Sequence, residues 1–161
     1  MGEVDTQTIQ TMTVPASDEG GPGYLSKLAP GLEHGLAENN RNPRVTSSMW
    51  KFKSGGIGSL MHTVALHGHR YESHIEVIMD GLRLTLYEPY HPECKLLVRD
   101  GRTGSVQEKV YEFPSTDPYE EELKVFLEAM HNKDGTKIQS SYEDATKTYY
   151  LSWYIRKKGE E

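Results

Sequence analysis

The stretch Trp50–Glu88, WKFKSGGIGSLMHTVALHGHRYESHIEVIMDGLRLTLYE, decides the fold class. Its apolar residues alternate with polar ones at period 2, and glycine-containing turn signals interrupt it at Ser54-Gly55-Gly56, Gly68-His69 and Asp80-Gly81. That pattern predicts an antiparallel meander. Asp80-Gly81 predicts a two-residue type I′ hairpin, because that turn needs positive φ at both central residues and Asp and Gly tolerate it best. Met79 then faces Leu82, Val77 faces Leu84 and Ile75 faces Leu86 on one side of the ribbon. His74 pairs with Tyr87, Glu76 with Thr85 and Ile78 with Arg83 on the other. A slip of one residue would move every apolar side chain to the wrong face, so the register is strongly specified.

Gly68-His69 reads in the same way as a type II′ turn, setting Val64 opposite Ser73 and His62 opposite Ile75. Both hairpins then put Leu60, His62, Val64, Leu66, Tyr71, Ile75, Val77, Met79, Leu82, Leu84 and Leu86 on one inward face that needs a cover. After Lys53, loops of two, three and four residues all fit, each with a different register.

Upstream, Val4 to Val14 is Thr-rich and predicts a first strand. Pro15 to Pro43, with GlyGlyProGly and AsnAsnArgAsnPro, predicts a long loop with a short helical turn near Leu32 to Ala37. Arg44 to Lys53 resumes strand character. Downstream, ProTyrHisPro forces a turn, Cys94 to Arg99 and Val106 to Phe113 read as strands, and AspGlyArgThrGly reads as their hairpin loop.

The period then changes to 3.6. Asp117-Pro118 followed by Glu120, Glu121 and Glu122 opens a helix to about His131, with Tyr119, Leu123, Phe126, Leu127 and Met130 as its apolar stripe. Ser140 and Glu143 make a capping box for a second helix to about Arg156, with Tyr142, Ala145, Tyr149 and Trp153 along one face. The expected fold is α+β, a largely antiparallel open sheet of about six or seven strands with the two C-terminal helices packed on one face. Residues 1–43 are expected to form an N-terminal strand and irregular loop, and residues 44–161 a sheet domain.

Composition limits the functions available. The chain has 161 residues and a formal net charge of −6. Its pI is near 5.7 and its mean hydropathy is −0.68. An acidic chain with no basic patch argues against nucleic acid as a partner. No apolar run approaches the ~18 residues of a membrane span, and the N-terminal residues lack the basic and apolar regions of a signal peptide. Cys94 is the sole cysteine, so no internal disulfide framework exists and a reducing, cytoplasmic setting is expected.

No motif signposts chemistry. SerGlyGlyIleGlySer at 54–59 lacks GxGxxG spacing, has no following Lys-Ser/Thr and runs into a strand, so it reads as a hairpin and not as a phosphate loop. His62, His67, His69 and His74 are scattered over both faces of the expected sheet without matching carboxylates or thiolates, so no metal site is expected. The triple glutamate suits a helix N-terminus. No catalytic, cofactor-binding or metal-ligating residue is assigned.

Taken together, WKFKSGGIGSLMHTVALHG, DGLRLTLYEPY, DPYEEELKVFLEAM and IQSSYEDATKTYYLSWYIR, in that order, resemble the C-terminal domain of the Gfo/Idh/MocA family of NAD(P)-dependent oxidoreductases, most like fungal members. The resemblance spans roughly residues 44–156, and AsnAsnArgAsnProArg before Trp50 also fits the fungal pattern. Family members pair a Rossmann domain with this open sheet domain, which supplies part of the substrate pocket and commonly an oligomer interface. This sequence contains no GxGxxG, no Glu-Lys-Pro segment with the family's catalytic Lys and no Gly-Gly-Gly helix with its active-site His.

The resemblance therefore implies a substrate-side and oligomerisation domain that is not redox-competent alone, with NAD(P) belonging to a full-length relative or a Rossmann-domain partner chain. It also implies a homo-oligomer through the open sheet face. Arg44, Trp50 and Arg70 are candidates for substrate contact. Lys51, His74, Glu76, Arg83, Thr85 and Tyr87 are candidates for the outward face. Two other classes stay open, a non-catalytic dimeric binding or regulatory module and a small cofactor-free isomerase or cyclase.

Overall fold

In the computed structural model the described residues are 2–17, 25–26, 35–37, 40–65, 69–113 and 117–161. Nine strands and two helices occur among them: β1 (Val4–Val14), β2 (Ala16–Ser17), β3 (Leu25–Ser26), β4 (Val45–Phe52), β5 (Ile57–Thr63), β6 (His74–Met79), β7 (Leu82–Tyr87), β8 (Lys95–Asp100), β9 (Gln107–Glu112), α1 (Pro118–Asn132) and α2 (Tyr142–Glu160). The class is α+β with antiparallel sheets, as expected. Seven of the strands divide, however, between a three-stranded sheet ordered β1-β4-β5 and a four-stranded sheet ordered β6-β7-β8-β9, and β2 and β3 form a two-stranded pair. The chain forms two compact units, Met1–His69 with Ser140–Glu161, and Arg70–Gln139. This grouping does not follow the expected division at residue 43, since β1 hydrogen-bonds along β4.

The Asp80-Gly81 hairpin has the predicted register throughout, from Met79 opposite Leu82 to His74 opposite Tyr87. Its turn differs. Only Gly81 takes positive φ, at 68°, while Asp80 does not, so it is not type I′. The Gly81 carbonyl accepts a hydrogen bond from the Gly101 N–H, which ties this turn to the end of β8.

The second expected hairpin does not form. His62 pairs with Thr46 and Ile75 with Leu86, so β5 and β6 belong to different sheets. Residues 66–68 of that expected hairpin lie outside the described residues, as do residues 32–34 of the helical turn expected near 32–37, while residues 35–37 are not helical. After Lys53 the three-residue alternative holds: Phe52 bonds Gly56 across Lys53-Ser54-Gly55, with Gly55 at φ 95°. Two short strands missed by the sequence reading, β2 and β3, pair in parallel.

Asp117 caps α1 as predicted, accepting from the Tyr119 N–H at 2.9 Å. On α2 the cap is Ser141, one residue later than expected, accepting from the Asp144 N–H at 3.2 Å. Both serines have an acidic residue three positions on, so the sequence alone did not separate them.

The expectation that both helices cover one sheet face is met by α2 only. It packs on β1 and buries Ile155, whereas α1 has no buried residue. The apolar stripe of α1, from Tyr119 to Met130, is exposed. So is much of the face expected to be inside, including Ile75, Met79 and Tyr71.

The core of the first unit holds Ile9, Ala16, Ile155, Ser48 and Arg44, the last two only 1% exposed. In the second unit Thr85 and Leu97, which pair across β7 and β8, are the buried residues.

Candidate functional site

Sheet pairing sets Thr13 opposite Thr46 and Thr46 opposite His62, and in the next row Thr11 opposite Ser48 and Ser48 opposite Leu60. Directly paired residues project to the same face with Cβ atoms about 5 Å apart. This face of the first sheet therefore carries two rows dominated by hydroxyl groups. Buried hydroxyls are costly unless hydrogen-bonded, and here several are. Thr11 Oγ1 and Ser48 Oγ lie 2.9 Å apart, and Ser48 Oγ also donates to the Gln10 carbonyl at 3.1 Å.

Helix α2 lies over this face and is held closest at its C-terminal end. A Cβ at Gly159 would come within 2.6 Å of Thr13 Cγ2, and the Thr13 hydroxyl donates to the Gly159 carbonyl at 3.2 Å. Just before this contact, over Tyr149 to Arg156, the helix leaves a cleft of about 410 Å³ lined by residues of β1, β4, β5, α2 and the Asn42-Pro43 segment. The volume falls in the range of small-molecule sites, roughly 300–1,000 Å³.

Three kinds of chemistry meet in the cleft. Tyr149 and Trp153 give an aromatic wall, Thr13, Thr46 and Ser152 give hydroxyls, and His62 and Arg156 are its titratable nitrogen groups. Among the described residues no acidic side chain lines it, although the chain as a whole is acidic. Arg156 Nε donates to Glu160 Oε1 at 3.0 Å, one turn further along the helix. Trp153 stacks edge-on with Tyr154 at 5.0 Å, and the Lys157 ammonium sits 5.2 Å from its ring centre.

The candidate residues read from the sequence separate into several places. Arg44 is buried and its Nε donates to the Val64 carbonyl, tying the ends of two strands together. Trp50 lies across Gly58, where a Cβ would come within 2.4 Å of the indole, and its buried Nε1 has no hydrogen-bond partner among the described residues. Lys51 alternates onto the other face of the first sheet, the one that also carries the exposed Met49. Arg70 contacts His91 and Glu93, each at 3.2 Å.

His74, Glu76, Arg83, Thr85 and Tyr87 do share one face of the second sheet, as the register requires. Arg83 Nε donates to Glu76 Oε1 at 2.6 Å, Thr85 donates to the same oxygen at 3.4 Å, and Lys95 lies 5.4 Å from the Tyr87 ring centre. Arg99 joins the face through Glu108 at 2.7 Å, a hydrogen bond that raises the guanidinium's affinity for its proton. This surface is a set of partly exposed charge pairs around the buried Thr85. Among the described residues no group of three or more His, Cys, Asp or Glu could hold a metal ion.

The cleft residues Thr13, Thr46, Ser152 and Arg156 were not singled out from sequence. The available signal was the period-2 run of hydroxyls at Thr11, Thr13, Thr46 and Ser48, which is unusual on a strand face covered by a helix.

Two fission yeast (Schizosaccharomyces pombe) proteins are similar to this chain. Uncharacterized protein UNK4.17 is 38% identical over 94% of the chain and 36% of its own length. Uncharacterized protein C12C2.04 is 32% identical over 96% of the chain and 39% of its own length. The chain thus spans less than two-fifths of each. A crystal structure described as a "putative nadph-dependent oxidoreductase" from Desulfitobacterium hafniense has the same fold, with a TM-score of 0.66 and 14% identity over 99% of this chain and 41% of that one. Residues 1–82 match the family model described as "Putative oxidoreductase C terminal domain", which takes in β1 and the first stretch on which the resemblance was read, WKFKSGGIGSLMHTVALHG, but not the later stretches in β7, α1 and α2. The chain belongs to this family of oxidoreductase C-terminal domains.

Proposed function

We propose that this chain is the substrate-side and oligomerisation domain of a Gfo/Idh/MocA-type NAD(P)-dependent oxidoreductase, and that hydride transfer needs a nucleotide-binding Rossmann domain on the same longer protein or on a partner chain. The single observation that carries the reading is the family match over residues 1–82, with relatives more than twice as long as the aligned chain. The fold supports it, because an antiparallel sheet with an uncovered face is suited to pairing with a second surface. On the first sheet the face opposite α2 exposes Met12, Met49 and Met61. Flexible, polarizable methionines adapt well to an apposed surface. The oligomer contact is placed on this face, where of the residues expected at it from sequence only Lys51 lies.

Two measurements test the reading. Titration of NADPH into the purified chain, followed by calorimetry, is expected to show no saturable micromolar binding. Light scattering is expected to give a dimer that Met49→Lys with Met61→Glu converts to monomer, since charges on an apolar contact cost several kcal/mol to desolvate. Saturable NADPH binding, or a monomer in the unaltered chain, overturns it.

A further inference from the structure

We propose that the cleft under α2 is a binding site for a small, flat organic acid, a ligand with a planar apolar body and one terminal carboxylate. The inference goes beyond the oxidoreductase reading and does not depend on it, because the cleft is built wholly within Met1–His69 and Ser140–Glu161.

The order of side chains along α2 carries the argument. Tyr149, Trp153 and Arg156 follow at helical spacings of four and three, so they form one stripe, aromatic at one end and cationic at the other. At 1.5 Å per residue the stripe is about 10 Å long. A ring seated against the indole and phenol would direct a carboxylate toward the guanidinium, whose planar fork matches that group. Arg156 shares its Nε with Glu160, which leaves the terminal amino groups as the donors for the ligand.

The floor completes the selection. Thr46 sits between Thr13 and His62 in one paired row, offering hydroxyl and imidazole groups that donate or accept. A cation would meet Arg156 with no carboxylate among the described lining residues to offset the repulsion. A ligand apolar throughout would strand the hydroxyl row without water, which is unfavourable. An acid bearing a ring satisfies both ends.

The test uses the full chain and 4-hydroxyphenylacetate, with 4-hydroxyphenylacetamide as its uncharged counterpart and inorganic phosphate as a bare anion. Proton–nitrogen correlation spectra are expected to show saturable shifts at the Trp153 indole and the His62 amide with the acid. The amide should bind at least about tenfold more weakly, the loss expected for one charge-assisted hydrogen bond. Phosphate should leave the Trp153 indole signal in place. Arg156→Gln, read only if its circular dichroism matches the parent, should reproduce the tenfold loss. Thr46→Val, which keeps the guanidinium, provides a second variant and should weaken the acid severalfold. Equal binding of acid and amide, equal shifts with phosphate, or no shift at these residues at 10 mM acid (about the weak limit for a specific small-molecule site) would overturn the proposal. Each of these outcomes leaves the NADPH and scattering results unaffected.

Discussion

The two sheets handle an exposed face in opposite ways. The three-stranded sheet is roofed by α2, buries Arg44 and Ser48 at 1% exposure, and satisfies its hydroxyl face by hydrogen bonds running between strands. The four-stranded sheet protects Thr85 and Leu97 on a face lined by long charged residues, while the helix of its own unit buries nothing. Hydrogen-bonded burial loses heavily when one partner is deleted, whereas exposed ion pairs are worth little individually. Structural damage should therefore concentrate in the first unit, and charge editing should be tolerated in the second.

The sharpest break is Arg44→Ala. It removes a buried side chain and leaves the Val64 carbonyl without its donor, so urea denaturation should show a loss of about 3 kcal/mol. A loss below about 1 kcal/mol would mean that water reaches this position and that the first unit is no more closed than the second.

Gly159→Ala ranks next. Alanine ordinarily favours a helix, but the added Cβ would meet Thr13 Cγ2 at 2.6 Å, and a β-branched side chain has little freedom to withdraw. The contact should outweigh propensity and cost about 1–2 kcal/mol. Thr13→Ser keeps the hydroxyl and deletes the obstructing methyl, so in the double variant most of that cost should be recovered. Failure of this rescue would show that α2 is not held at Gly159.

The smallest effect belongs to the second unit. Hydrogen bonds from Arg102 hold the Asp100 carboxyl down at about 2 against an ordinary 3.8. A depressed folded value means that the associated stabilisation is present above the unfolded value and fades as pH falls through about 2. Carbon-13 titration of Asp100 should give a midpoint near 2, and Arg102→Gln should return it toward 3.8. An unchanged midpoint in that variant would assign the shift to the backbone of the turn.

Legibility from sequence followed the range of the interaction. The Ile75 to Leu86 ribbon was readable to the residue because alternation and a two-residue loop specify register within a dozen positions. The same alternation continues from Leu60 through Ser73, and for that reason the separation of β5 from β6 was invisible. Nothing local in Val64 or Tyr71 states which sheet a strand will join. The start of α1 was readable because Asp117-Pro118 is a local signal, while the exposure of its stripe depends on what packs against it. The face holding Glu76, Arg83 and Tyr87 followed from register, but the burial of Arg44 did not, because burial of a charge cannot be seen in one strand.

The sequence by itself determined strand and helix positions, the hairpin register and the family resemblance, all set by spacings within one or two elements. Only the tertiary structure decided that the meander strands divide between two antiparallel sheets, that α2 roofs one of them, and that Thr46, His62, Trp153 and Arg156 surround one cleft. These residues lie up to about a hundred positions apart, and their meeting depends on the close approach of a glycine near the end of the last helix to a threonine in the first strand.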